Sequence, residues 1–149
     1  MLGVTPNHIM APVIFCQYKY VTYYSLVKYI DSKENATLWI RSDSSTWGQL
    51  EFADLKIDGK LYKIRQIENE SKYDRNAYLE PNLWRAWCSS FYALTAEDIT
   101  AIEKGKDVEL TCYLKNGKNI SYKLSPERLE EWKQLLKLTK ADFSKTKPN

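Results

Sequence analysis

The chain has 149 residues, a formal net charge of +3 and 28% charged residues. This length is typical of one domain, and it is enough to bury a hydrophobic core without disulfides or a structural metal. The small net charge, with acidic and basic residues interspersed, argues against a nucleic-acid-binding protein, because such proteins usually carry a strongly basic patch.

The N-terminal part is predicted to begin with an irregular lead-in, residues 1–12, and to continue with strands. Residues 13–30 are dense in valine, isoleucine and tyrosine, which favour strands. This stretch is longer than a common strand, so it predicts two strands or one bent strand. A helix is the alternative, because four of its residues have helical spacing: Tyr20, Tyr23, Tyr24 and Val27.

The middle of the chain is predicted to form a strand, a polar loop and a hairpin. The strand covers residues 37–41 and the loop covers residues 42–48. Residues 50–67 are predicted to form a hairpin around a two-residue Asp58-Gly59 turn, a pair that favours this turn type. A break in the apolar alternation predicts a β-bulge near Ala53-Asp54.

Residues 68–82 are the longest polar stretch without clear periodicity, and they are predicted to be a loop. Long loops in compact domains are often functional. This one contains Tyr73, Arg75 and Tyr78, which are residue types that anchor interfaces. The aromatic residues 84–92 fit either a helix or a strand, and their aromatic content favours a strand.

The C-terminal third is predicted to contain two capped helices. Thr95 and Ser125 are the expected N-caps, and each precedes acidic residues that the helix dipole favours in the first turn. Pro126 suits the first helical position, and Gly105 is expected to end the first helix at the C′ position. The second helix has an apolar stripe that predicts a buried face: Leu129, Trp132, Leu135 and Leu136.

A hairpin is predicted between these helices. Apolar and polar residues alternate over residues 108–114 and 119–124, which predicts two strands with one buried face. A three-residue loop that puts Gly117 in the left-handed bulge position keeps the apolar residues together, with Cys112 opposite Ile120. A two-residue loop would place apolar residues opposite polar ones. The sequence therefore predicts the three-residue loop.

The three cysteines, Cys16, Cys88 and Cys112, are widely spaced and form no CxxC motif, so no zinc or thioredoxin-like site is predicted. Cys112 lies on the predicted buried face and is interpreted as a small core residue. A Cys16–Cys88 disulfide stays open as an alternative for an exported protein. No secretory signal is visible, which slightly favours the cytoplasm. Charged residues interrupt residues 9–30, so no membrane span is expected.

The sequence contains no motif for catalysis or for binding a cofactor. The single histidine, His8, lies in the predicted irregular lead-in, where nothing would hold a general base in place. One histidine cannot build a histidine-rich metal site, and no phosphate-binding glycine motif is present. No cofactor and no metal are therefore expected. Two carboxylate pairs, Asp43 with Glu51 and Glu68 with Glu70, leave a hydrolase as an alternative.

The predicted fold is α+β. We expect a mostly antiparallel sheet of about six or seven strands with two C-terminal helices packed on one face. The domain is predicted to cover residues 13–138, and residues 139–149 are predicted to be a polar tail.

The aromatic content predicts a function for the chain. Eleven tyrosines and five tryptophans exceed what a core of this size requires. We therefore predict a non-enzymatic protein-interaction module, an inhibitor or immunity-type partner of another protein. It would bind through a sheet face and the 68–82 loop, with these residues in contact: Tyr18, Tyr20, Tyr23, Tyr24, Tyr73, Arg75 and Tyr78. An exported cell-envelope or ligand-binding domain is a second hypothesis. A third is a carboxylate-based hydrolase or a sheet that stacks single-stranded nucleic acid.

Overall fold

Alternating apolar and polar residues place most of this chain in antiparallel strands. The computed structural model describes residues 2–4, 8–16, 21–29, 36–43, 50–73, 86–114 and 117–138. Its elements are, in chain order, β1 (Gly3–Val4), β2 (His8–Met10), β3 (Ile14–Phe15), β4 (Val21–Tyr29), β5 (Ala36–Asp43), β6 (Leu50–Ile57), β7 (Lys60–Lys63), β8 (Arg65–Tyr73), β9 (Ala86–Leu94), α1 (Ala96–Lys104), β10 (Val108–Leu114), β11 (Asn119–Lys123) and α2 (Pro126–Lys137).

Within these residues the strands form two antiparallel sheets. Sheet A has seven strands, in the order β1-β2-β4-β5-β9-β8 with β3 also paired to β4, and sheet B has the order β11-β10-β6-β7. The predicted α+β class and the mostly antiparallel pairing are confirmed. The strands divide between two sheets because β6 pairs with β10, and not with the preceding strand β5. Neither helix in the described part of the chain is long and apolar enough to cross a membrane.

The core lies where the inner faces of the two sheets meet α2. Tyr24 of β4 contacts Tyr122 of β11 and Trp132 of α2, with ring centroids 5.9 and 6.1 Å apart. Tyr24 and Trp132 are fully buried. The Nζ of Lys28 donates to the carbonyl of Leu136 in the last turn of α2 and to the carbonyl of Leu138, the residue after the helix, and so attaches the end of α2 to β4.

Both helices begin at the predicted N-caps. The Oγ1 of Thr95 accepts a hydrogen bond from the backbone N–H of Asp98 at 3.1 Å, and the Asp98 carboxylate accepts one from the N–H of Thr95 at 2.9 Å. This is a reciprocal capping box. Ser125 accepts from the N–H of Arg128 at 3.2 Å, with Pro126 in the first turn. The cap predictions are therefore confirmed for both helices.

Gly105 ends α1, but not for the predicted reason. Its backbone is extended, with φ −74° and ψ 149°, and so it does not occupy the left-handed C′ position. A Cβ atom at this residue would lie 2.9 Å from the carbonyl oxygen of Ala101 and 2.9 Å from Cγ2 of Ile57. Glycine is therefore required both by the last turn of α1 and by the close approach of that turn to β6, and the sequence does not reveal the second contact.

Both predicted hairpin turns are confirmed. Cys112 lies opposite Ile120, as the three-residue loop requires, and Gly117 has φ +87°. Asp58 and Gly59 have φ +49° and +86°, which are the two positive values of a two-residue hairpin turn. The turn residues therefore determine the register of both hairpins.

The β-bulge in β6 lies earlier than predicted. The pairing of β6 with β10 shifts after Tyr113, which leaves Glu51 as the extra residue. The prediction near Ala53-Asp54 was wrong because Phe52, which it grouped with Leu50, is exposed on the outer face of sheet B. An apolar residue on an exposed face breaks the apolar alternation without a change of register.

The polar segment predicted as a loop begins as a strand. Residues 68–73 belong to β8, which pairs with β9 at the edge of sheet A. An edge strand tolerates charged residues, so it lacks the alternation that identifies a strand with two neighbours. Residues 74–82 lie outside the described residues. The strand favoured for residues 84–92 is confirmed, since β9 covers Ala86–Leu94.

The N-terminal part also contains more strand than predicted. Residues 1–12 include β1 and β2, so the lead-in is not wholly irregular. β2 pairs with β4, and this pairing supplies order that the sequence does not indicate locally. The described part of residues 13–30 contains two strands, β3 and β4, as predicted, and Tyr23, Tyr24 and Val27 of the helical alternative lie in β4. The strand predicted at residues 37–41 is confirmed as part of β5.

Candidate functional site

Four aromatic side chains cross the outer face of sheet A in a continuous line, which we call the aromatic row: Phe15 of β3, Tyr23 of β4, Trp39 of β5 and Phe91 of β9. Phe15 lies opposite Tyr23, and Trp39 lies opposite Phe91. Successive ring centroids are 6.0, 5.0 and 6.3 Å apart. Each ring therefore contacts the next across four neighbouring strands.

Strand periodicity explains why these rings point away from the core. Successive side chains of a strand point to opposite faces of the sheet. Tyr23, Trp39 and Phe91 each precede a fully buried residue of the inner face: Tyr24, Ile40 and Tyr92. The outer position of the aromatic row is therefore fixed by burial of its sequence neighbours.

The aromatic row is accessible to a partner. Phe15 is 74% exposed, and Tyr23, Trp39 and Phe91 are half-buried. Half-burial holds each ring against its neighbours and leaves part of its surface in water. Rings that are already fixed lose little conformational entropy when they bind.

Arg41 adds a cation to the aromatic row. It lies opposite Tyr23 in the β4–β5 pairing, and its Cζ is 5.6 Å from the centroid of the Tyr23 ring. Its Nη1 donates a hydrogen bond to the Tyr23 hydroxyl at 3.1 Å. The contact is a cation–π interaction that also fixes the guanidinium group. Tyrosine, tryptophan and arginine are the residue types enriched at the energetic centres of protein interfaces.

The structure brings only some of the predicted contact residues to this surface. Tyr23 lies in the aromatic row. Tyr24 is fully buried and contributes to the core, because it follows Tyr23 in the strand and points to the other face. The backbone of Tyr73 lies at the end of β8. The remaining predicted contact residues lie outside the described residues: Tyr18, Tyr20, Arg75 and Tyr78.

Sequence reasoning missed Phe15, Trp39, Phe91 and Arg41. The sequence signal that could have identified them is the alternation of apolar and polar residues in β4, β5 and β9, which assigns each side chain to one face of the sheet. That signal alone does not bring them together, because the order of the strands decides which outward residues become neighbours. β5 lies between β4 and β9 in sheet A, and this order places Trp39 between Tyr23 and Phe91.

The two cysteine thiols that the structure describes, those of Cys16 and Cys112, are unsuited to nucleophilic chemistry. Cys16 is a free, half-buried thiol, so a disulfide between Cys16 and Cys88 is not formed. Burial raises the pKa of Cys16 to about 11, against the opposing effect of a hydrogen bond with Tyr122. Burial likewise raises the pKa of Cys112, which is a core residue as predicted. Thiols with raised pKa stay protonated at neutral pH and are weak nucleophiles.

The carboxylate pairs that a hydrolase could use are distributed over both sheets. Asp43 is in β5 of sheet A and Glu51 is in β6 of sheet B, while Glu68 and Glu70 are both in the edge strand β8. His8 lies in β2 and contacts Tyr29, with ring centroids 5.7 Å apart. Among the described residues, no group of three histidine, cysteine or acidic side chains is arranged to hold a metal ion.

Similarity to known proteins adds no constraint on function. Comparisons with protein-family models, curated proteins and solved structures find no match to this chain. The functional argument therefore depends on the geometry of the described residues. In that geometry, the aromatic row with Arg41 is the surface whose composition resembles a binding site.

Proposed function

We propose that this chain is a non-enzymatic protein-interaction module, an inhibitor or immunity-type partner that binds another protein through the aromatic row. One observation carries the proposal: four aromatic rings and one arginine form an unbroken line on the outer face of a sheet. β8 continues sheet A beyond Phe91, because β8 pairs with β9.

The energetics of interfaces support this use. A few tryptophan, tyrosine and arginine side chains usually supply most of the binding energy, and truncating one of them costs about 2 kcal/mol or more. Trp39, Tyr23 and Arg41 provide these three residue types within one contact network. Neighbouring rings would exclude water from the centre of the interface, which strengthens its polar contacts.

A protein partner fits the surrounding charges better than a single-stranded nucleic acid. Binding of single strands combines stacked bases with a positively charged groove along the backbone. Here the Arg41 guanidinium is already bonded to Tyr23. Next to the row, β8 places two acidic residues, Glu68 and Glu70, opposite Phe91 and Ser89. Acidic residue types in the strand next to the row favour a protein partner over a chain of phosphates.

A pair of phenylalanine variants tests the proposal. The immobilised wild-type chain is used to capture a protein from an extract of the organism that encodes it, and the affinity of the purified partner is then measured by calorimetry. Phe15→Ala is expected to weaken binding about tenfold, because it removes an exposed anchor of the aromatic row.

Phe52→Ala is the matched control. Phe52 is also exposed and also contacts a tyrosine ring, that of Tyr113, with centroids 4.4 Å apart, but it lies on the outer face of sheet B. Its substitution is expected to leave the affinity unchanged. Equal effects of the two substitutions would contradict the proposal.

Failure to capture a protein, combined with binding of a labelled oligothymidylate that Phe15→Ala abolishes, would favour a nucleic-acid ligand instead.

A further inference from the structure

A second surface lies at the edge of sheet B, where β7 has a strand neighbour on one side only. β7 pairs with β6 and ends the strand order of the sheet. Ile57 and Lys60 flank the two-residue turn, so they form a hydrogen-bonded pair, and such pairs recur at every second residue. Leu61 and Lys63 therefore direct their N–H and C=O groups away from β6. In the described part of the chain, no strand pairs with this side of β7.

Helix α1 forms the opposite wall of a cleft beside this edge. The cleft has a volume of about 600 Å³ and lies between β7, with Lys60 and Tyr62, and one face of α1, with Ala96, Thr100 and Lys104. These helix residues are four apart, so they follow one side of the helix. Small residues on that side leave room between the helix and the strand.

The width of the cleft is fixed by the turn between β6 and β7. The carboxylate of Asp58 accepts hydrogen bonds from the backbone N–H groups of Lys106 and Asp107, both at 2.9 Å. The N–H of Asp58 donates to the carbonyl of Asp107 at 2.8 Å. The two N–H donors lower the pKa of Asp58, so the carboxylate stays charged. The hairpin is thus attached to the segment that follows α1.

The charges at the cleft favour an acidic occupant. Lys60 of β7 and Lys104 of α1 line the cleft from opposite sides, while Lys63 lies on the other face of β7. Two acidic residues also line the cleft, but the carboxylate of Asp58 is already bonded to backbone N–H groups. The carboxylate of Glu97 is 3.7 Å from the Nζ of Lys60. Both side chains of this pair are well exposed, so the pair is weak and can be displaced.

We propose that the cleft binds an extended acidic peptide segment, which adds to β7 as a further antiparallel strand of sheet B. The segment would exchange backbone hydrogen bonds with Leu61 and Lys63, and alternate side chains would enter the cleft beside α1. A second copy of this chain fits less well, because pairing β7 with β7 would bring the lysines of both copies together. The proposal concerns a different surface from the aromatic row and does not depend on it.

The test uses a fluorescein-labelled, end-capped peptide of sequence Glu-Val-Glu-Val-Glu-Val and the wild-type chain. Fluorescence anisotropy is expected to show saturable binding, while a Lys-Val-Lys-Val-Lys-Val peptide binds at least about tenfold more weakly because its charges face the same lysines. Leu61→Pro is expected to weaken binding of the acidic peptide about tenfold. Proline removes an outward N–H donor, and its ring obstructs the added strand.

Ser121→Pro is the matched control at the opposite edge of sheet B. The N–H of Leu114 donates to the carbonyl of Lys118, and the N–H of Leu124 donates to the carbonyl of Val108. Hydrogen-bonded pairs between β10 and β11 therefore fall on the even-numbered residues, and the N–H of Ser121 faces outward. Proline is tolerated at such edge positions, so both variants should fold, as circular dichroism would show. The Ser121→Pro variant is expected to bind the peptide with wild-type affinity.

A substitution in the peptide provides a test that does not depend on folding of the variants. Replacing the central valine by N-methylvaline removes a donor from the added strand and is expected to weaken binding to the wild-type chain. No binding of the acidic peptide, equal binding of the lysine peptide, or an equal loss in the Ser121→Pro variant would overturn the proposal. A dimer that Leu61→Pro dissociates, in a chain that binds no peptide, would overturn it in favour of a second copy.

Discussion

The Trp132→Ala variant is expected to lose about 3–5 kcal/mol of unfolding free energy, the range for removing a large buried aromatic side chain. Trp132 is fully buried and contacts Tyr24 edge-on, with centroids 6.1 Å apart. It joins α2 to the inner face of sheet A, so the cavity would open at the centre of the core. Domains of this size have a total stability of about 5–15 kcal/mol, so the loss is a large part of it.

Urea unfolding followed by circular dichroism measures this loss. The urea concentration at the midpoint should fall strongly, while the slope of the unfolding free energy against urea concentration stays as in the wild type. Trp132→Phe is the control, because it keeps a ring in the site. The Nε1 of Trp132 has no hydrogen-bond partner among the described residues, so phenylalanine sacrifices no bond there. A loss below about 1 kcal/mol for Trp132→Ala would show that the indole does not fill the core as described.

Trp39→Ala is expected to weaken the binding of the captured partner by about 2 kcal/mol or more, which is about thirtyfold. Trp39 lies at the centre of the aromatic row, with ring centroids 5.0 Å from Tyr23 and 6.3 Å from Phe91. The substitution therefore removes one anchor and releases the two rings that it fixes. This effect should exceed that of Phe15→Ala, because Phe15 lies at the end of the row.

Calorimetric titration of the purified partner gives the affinity, and thermal unfolding of the variant alone shows whether the domain is intact at the temperature of the titration. The same titration with Phe52→Ala gives the effect of losing an exposed ring outside the row. An affinity of the Trp39→Ala variant within about twofold of wild type would exclude Trp39 as an anchor.

The C-terminal third shows how much of this fold can be predicted from sequence. Its caps, Thr95 and Ser125, and its turn, with Gly117, depend on interactions between residues that are near in the chain. Such interactions leave a direct signal in the residue types. The apolar alternation then identifies the buried face of the hairpin, and the structure agrees with it at Cys112 and Ile120.

The remaining features depend on contacts between distant segments. A Cβ atom at Gly105 would contact Ile57 of β6 as well as the carbonyl of Ala101, and the neighbours of Gly105 in the chain do not show the contact with Ile57. β8 is a strand because it pairs with β9, although its own residues lack alternation. Aromatic content led to the prediction of a binding face, but the face proposed here includes Phe15 and Phe91, which are brought together only by the order of strands in sheet A.

Hydroxyl-radical footprinting of the chain, free and in complex with its captured partner, tests the central claim most directly. It reports the oxidation rate of individual aromatic side chains. If the partner covers the aromatic row, oxidation of Phe15, Tyr23 and Trp39 should fall strongly in the complex, while Phe52 and Tyr113 on sheet B keep their rates. Protection of Phe52 and Tyr113, with unchanged oxidation of the aromatic row, would contradict the account.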